Sequence, residues 1–164
     1  MFGLIRTTII ALVLAFNAGS ILAQDFQKGV AAYQSGDYVT ALQEWRPLAE
    51  QGDADAQYNL GLMYLKGEGV LQDYAEAVKW YRLAAEQGIA SAQTNIGVMY
   101  EYGDGVLPDN VRAHMWYNIA AANGDEKAGE WRDEREGLMT SADISKAQSV
   151  AKECMSSNYK NCDW

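Results

Sequence analysis

Histidine occurs once, cysteine twice and proline twice in 164 residues. A zinc cluster, an iron-sulfur centre and a paired Cys-His nucleophile each need more of these residues than the chain can spare. No metal and no cofactor is therefore expected. Basic residues are also scarce: 13 Lys and Arg stand against 22 Asp and Glu, a formal charge of -9. Phosphate backbones select clustered Lys and Arg, so nucleic acid is excluded as an expected partner. Long apolar runs are missing too. The stretch from Ile9 to Phe16 ends at Asn17, followed by Gly19 and Ser20, short of the roughly 20 apolar residues that a spanning helix needs. What is present is 49% hydrophobic and 21% charged residues, enough for one ordinary domain with a core.

The beginning of the chain has the order of an export signal. Arg6 is the only charge before Ala23, and the apolar stretch gives way to Asn17, Gly19 and Ser20 before Ile21-Leu22-Ala23. Residues 1–23 are read as a signal peptide cleaved after Ala23, which leaves 12 basic against 22 acidic residues and no membrane span. The expected location is the periplasm or the outside of the cell. Export exposes Cys154 and Cys162, with seven residues between them, to an oxidising compartment, and a disulfide is expected there.

Self-comparison is the most informative step. Residues 52–87 superpose without gaps on residues 88–123, a period of 36. Matches include Ala56/Ala92, Gln57/Gln93, Gly61/Gly97, Met63/Met99, Tyr64/Tyr100, Gly67/Gly103, Gly69/Gly105, Val70/Val106, Asp73/Asp109, Ala77/Ala113, Trp80/Trp116, Tyr81/Tyr117 and Ala84/Ala120. A fixed period of this length means a stacked array whose units bury their apolar faces on each other. Within a unit, Ala56, Leu60, Met63 and Tyr64 mark one helix, and Ala77, Trp80, Tyr81, Ala84 and Ala85 mark a second. Asp73 and Asp109 stand where they can cap the second helices, and Gly52, Gly88 and Gly124 suit the left-handed position that ends a helix. Gly67-Glu68-Gly69-Val70 and its repeat lie between two helices. A phosphate-cradling loop places its glycines between a strand and a helix, so these are read as turns.

The run from Ala56-Gln57 through Leu60-Gly61, Met63-Tyr64, Gly67-x-Gly69-Val70, Asp73, Ala77, Trp80, Tyr81 and Ala84-Ala85 to Gly88 resembles the Sel-1-like repeat, a relative of the tetratricopeptide repeat. The resemblance implies an all-α, right-handed superhelical solenoid of helical hairpins with a C-terminal capping helix. It also implies a non-catalytic adaptor that binds another protein or peptide on the concave face. Some cysteine-rich secreted relatives are described as β-lactamase-like, and a cell-wall or β-lactam-acting enzyme is the alternative. The full units here hold no cysteine, so that activity is not carried over. The expected organisation is a signal peptide at 1–23, a divergent hairpin at 24–51, full repeats at 52–87 and 88–123, capping helices at 124–156 and a tail at 157–164.

No catalytic group is expected. The single histidine, His114, takes the place of Val78 and is read as a surface or half-buried helix residue. In related solenoids the first helices of successive units line the concave face. Exposed positions there that differ between units are where a partner would be read: Tyr58 against Thr94, Leu65 against Glu101 and Lys66 against Tyr102, with Tyr33 added from the first hairpin. Gln57/Gln93 and Asn59/Asn95 either hold peptide backbone or bond neighbouring helices.

Overall fold

The computed structural model describes residues 25–160 and Cys162; the expected signal peptide lies outside the described residues. Eight helices follow one another: α1 Phe26–Gln34, α2 Tyr38–Glu50, α3 Ala54–Lys66, α4 Tyr74–Ala85, α5 Ala90–Tyr102, α6 Asn110–Ala122, α7 Glu126–Glu136 and α8 Ser141–Ser156. The described residues form no strand, and none of their helices is long and apolar enough to cross a membrane. The fold is an all-α repeat solenoid.

Local chemistry sets the helix starts. The side chains of Asp25, Asp37, Asp53, Asp73, Asp109 and Asp125 accept backbone N–H groups of the first turn of their helices. Only α5 departs from this rule before the last helix. Its cap position is held by Ile89, which makes no side-chain bond, and Ile89 instead packs against the core.

Each hairpin pairs a first helix with a second, and each second helix then packs against the first helix of the next unit. Small residues decide how closely they approach. A Cβ at Gly61 would lie 2.5 Å from Tyr81 Cδ1, and one at Gly97 2.6 Å from Tyr117 Cε1. The glycine-aromatic pairing repeats with the period, and in the first hairpin Gly29 faces Trp45 in the same way. Ala56, Leu60, Ala77, Tyr81, Ala84, Ala92, Ile96, Ala113, Trp116, Ile119 and Ala120 around these pairs are wholly buried.

Polar groups recur between units as well. Gln57 Nε2 donates to the Ala49 carbonyl and Gln93 Nε2 to the Ala85 carbonyl, each at 3.0 Å. Gln87 and Asn123 donate in turn to the Oε1 atoms of Gln57 and Gln93, both at 2.8 Å. The buried amides thus satisfy helix ends of the preceding unit. At the start of the array Glu44 accepts from Lys28 Nζ and from the Asp25 N–H. The Lys28 bond first, and then the Asp25 N–H, hold its carboxyl below the usual carboxylate range, and the bond to Glu44 raises the pKa of the Lys28 ammonium.

The array ends irregularly. Both α7 and α8 pack on α6, and Ala147, Ala151 and Cys154 of α8 are buried. This covering explains His114, which is wholly buried instead of lying at the surface. Its Nε2 is 2.8 Å from Glu136 Oε1 of α7, so the expectation of a surface or half-buried residue is corrected: α7 and α8 pack over α6, which carries it. Cys154 and Cys162 are disulfide-bonded and buried, and the bond ties the tail to α8. Closing a loop this short contributes about 2–3 kcal/mol. Reduction is therefore expected to lower the melting temperature by roughly 5–10 °C while leaving the helical signal below the transition intact, as read by circular dichroism with and without reductant. An unchanged melting temperature would show that the tail adds nothing to the cap.

Candidate interaction groove

The sequence-chosen residues fall into separate places. Tyr33 and Lys66 meet: Lys66 Nζ donates to the Tyr33 hydroxyl at 3.2 Å and lies 5.9 Å from its ring centre. The same hydroxyl donates to Glu68 Oε2 at 2.5 Å. Burial and that carboxylate push the Tyr33 pKa up, so the phenol remains a donor. The trio fastens α1 to α3 and to the turn that follows it. Tyr58 is half-buried with its ring 5.8 Å from that of Tyr81, and Leu65 packs into the main core.

Thr94 is buried rather than exposed. Its hydroxyl is 3.0 Å from the Ala90 carbonyl and 2.6 Å from Asp125 Oδ2, because the start of α7 sits on this point of α5. Thr94 therefore links helices and offers no surface.

Glu101 and Tyr102 come together at a cavity of about 240 Å³ between the C-terminal halves of α5 and α7. Tyr117 of α6 forms its floor, Val98, Glu101 and Tyr102 one wall, and Trp131, Glu134 and Arg135 the other. Trp131 meets Tyr117 edge to face, with ring centres 5.7 Å apart. Glu101 bridges the two sides: it accepts the Tyr117 hydroxyl at 2.8 Å and pairs with Arg135. Burial first, and then the Glu101 bond, hold the Tyr117 phenol above its ordinary pKa. Tyr102 is 70% exposed at the mouth.

The cavity lies where the repeat is broken. One unit earlier, Leu65 occupies the position of Glu101 and packs half-buried against the core, and Asn95 occupies the position of Trp131. At Glu101 a carboxylate held to Tyr117 and Arg135 stands in place of that half-buried leucine, and the cavity lies beside it. None of Trp131, Glu134, Arg135 and Tyr117 was expected at a site: Tyr117 read as a repeated packing residue, and Glu134 and Arg135 as charges of the cap. The 36-residue offset from Asn95 to Trp131 was the available signal, hidden because α7 reads as a charged cap. Its charges are not merely solvated: Arg135 faces Glu101, and Glu136 bonds His114.

The Sel1 repeat pattern matches residues 54–89 and 90–125. The chain is similar to c5321, a protective antigen present in uropathogenic Escherichia coli strains that displays an SLR fold, at 30% identity and a TM-score of 0.75. That likeness covers 80% of this chain, which spans 30% of the length of c5321. It is also similar to a Sel1 repeat protein from Oxalobacter formigenes, at 34% identity and a TM-score of 0.56, covering 68% of this chain and 98% of that one. No protein of curated function matches the chain. Sel1 repeat folds are generally non-catalytic protein-interaction scaffolds. With two matched repeats, a glycine-aromatic contact in each, and a relative covered almost end to end, the chain belongs to the Sel1 repeat family.

Proposed function

We propose that this chain is an exported adaptor, acting in the periplasm or outside the cell, that binds a segment of a partner protein along the side lined by its first helices. The observation that carries the reading is the cavity between α5 and α7, placed where the array departs from its own repeat. Regular positions serve packing between units, whereas Tyr102 departs from the repeat and is exposed at the cavity mouth, where it is free to read a partner. Its aromatic and charged lining has the composition of an interaction centre, rich in Tyr, Trp and Arg.

The test is photo-crosslinking in the producing cell. A benzophenone amino acid at Tyr102 is expected to form a discrete covalent adduct, and the same group at Leu83, on the exposed face of α4, is expected to form none. Adducts from Leu83 alone, or equally from both, would overturn the groove assignment. Mature protein recovered from the same cells is expected to begin at Gln24.

A further inference from the structure

We infer that the cavity between α5 and α7 receives a cationic side chain, an arginine or lysine of the partner segment; this rests on the adaptor reading above and specifies what enters the groove. Size is the first ground. About 240 Å³ is below the roughly 300–1,000 Å³ of small-molecule sites and suits a single long side chain. Charge is the second. Arg135 is matched by Glu101, which leaves Glu134 exposed at the rim without a partner of its own. Helix α5 carries no Lys or Arg at all. The lining side chains therefore leave one negative charge, at Glu134, once the internal pair is formed, with Lys127 held on the Trp131 ring.

The aromatic rings supply the third ground. Three rings elsewhere on this array carry cations of the chain itself: Arg46 lies 6.0 Å from the Tyr64 centre, Lys66 5.9 Å from Tyr33 and Arg112 5.7 Å from Tyr100. Within the pocket wall, Lys127 lies 5.3 Å from Trp131. Among the described residues no cation covers Tyr102, which is the most exposed aromatic and stands at the pocket mouth. A guanidinium or ammonium arriving from outside would lie on the Tyr102 face and meet the Glu134 carboxylate, the arrangement that draws cations to rings. An acidic side chain would find its natural counter-ion, Arg135, already engaged by Glu101 and would face Glu134 as a like charge.

The probes are N-acetyl-arginine methylamide, its norleucine and glutamate counterparts, and the protein without its first 23 residues, followed by two-dimensional NMR. The arginine probe is expected to shift the Trp131 indole and Tyr102 amide resonances saturably in the millimolar range, with the norleucine probe at least tenfold weaker. Glu134→Gln is expected to weaken arginine binding at least threefold and leave the norleucine probe unaffected. Tyr102→Ala should weaken the arginine probe similarly. Both side chains are exposed, and thermal melts of the two variants should match the parent. Norleucine or glutamate binding as tightly as arginine, an arginine probe that leaves Trp131 and Tyr102 unshifted, or indifference to Glu134→Gln would each overturn the cation assignment. The crosslinking experiment reads the groove whatever the chemistry of its occupant, so it decides the adaptor reading separately.

Discussion

Gly61→Leu is expected to remove the cooperative thermal transition of this protein or to lower its midpoint by roughly 10 °C or more. Gly61 is buried in the middle of α3, and even a Cβ there would lie 2.5 Å from Cδ1 and 2.6 Å from Cε1 of Tyr81. Tyr81 is itself wholly buried, so its ring cannot swing into solvent to make room. Two effects of opposite sign compete. Replacing a helical glycine gains up to about 1 kcal/mol of helix propensity, whereas overpacking a full core typically costs about 1–3 kcal/mol and occasionally more. Here the first added atom already collides, and leucine adds three further carbons, so the loss dominates. About 3 kcal/mol is a large share of the roughly 5–15 kcal/mol that holds a domain together. The internal comparison is Gly129→Ala in α7. A Cβ there meets only Ala121 Cβ, at 3.7 Å, an ordinary contact, and the variant should be stabilised by about 0.5–1 kcal/mol. Equal melting of Gly61→Leu and the parent would show that α3 and α4 are not held apart by one ring alone.

Gly105→Ala has the second large expected effect, from a different cause. This glycine has φ +73, and a Cβ would lie 2.5 Å from the carbonyl carbon of Tyr74, 2.6 Å from its oxygen and 2.8 Å from the Ala75 nitrogen. Those are backbone atoms at the start of α4 in the preceding unit, and they cannot rotate away. Gly69 lies in the same manner against the backbone of Tyr38 at the start of α2. The second glycine of each Gly-x-Gly turn is thus where one hairpin rests on the last, beyond its role in reversing the chain. Gly36→Ala isolates the conformational part, because Gly36 has φ +81 with nothing within 4 Å of its Cβ position. That variant should lose only the left-handed strain of about 1–2 kcal/mol. Gly105→Ala should lose at least about 2 kcal/mol more, since collision is added to strain. Urea unfolding of both variants measures the difference, and similar losses would remove the contact between units from the account of stability.

Much of this architecture was legible beforehand. Helix pairs, turns and capping aspartates depend on neighbours within a few residues, and the contacts between units repeat because each unit meets a copy of itself. A single chain compared with itself therefore reveals them. Ile89 is an instructive exception. It stands where Asp53 and Asp125 cap their helices, yet it serves the core instead. Local capping chemistry cannot anticipate that choice, since it depends on what lies beneath the helix start.

The groove was only half visible. Glu101 and Tyr102 were marked by differing from Leu65 and Lys66, but the same reasoning marked Thr94, which is buried under Asp125. Difference between units shows that a position is not bound to the repeat; it does not show whether the position faces water or an irregular neighbour. Tyr33 and Lys66 were likewise chosen as surface and are joined with Glu68 in a bond across units.

The period, the pairing of helices and the small residues at their crossings were determined by the sequence alone, because they are properties of one unit and its repeat. The tertiary structure decided the rest at the C-terminal end. There α7 and α8 both settle on α6, bury His114 against Glu136, and open a cavity beside Glu101 and Trp131. The physical reason is that α6 is followed by α7 and α8 rather than by a copy of its own unit. What covers its face is set by shape and pairing among residues far apart in the chain, and no period records them.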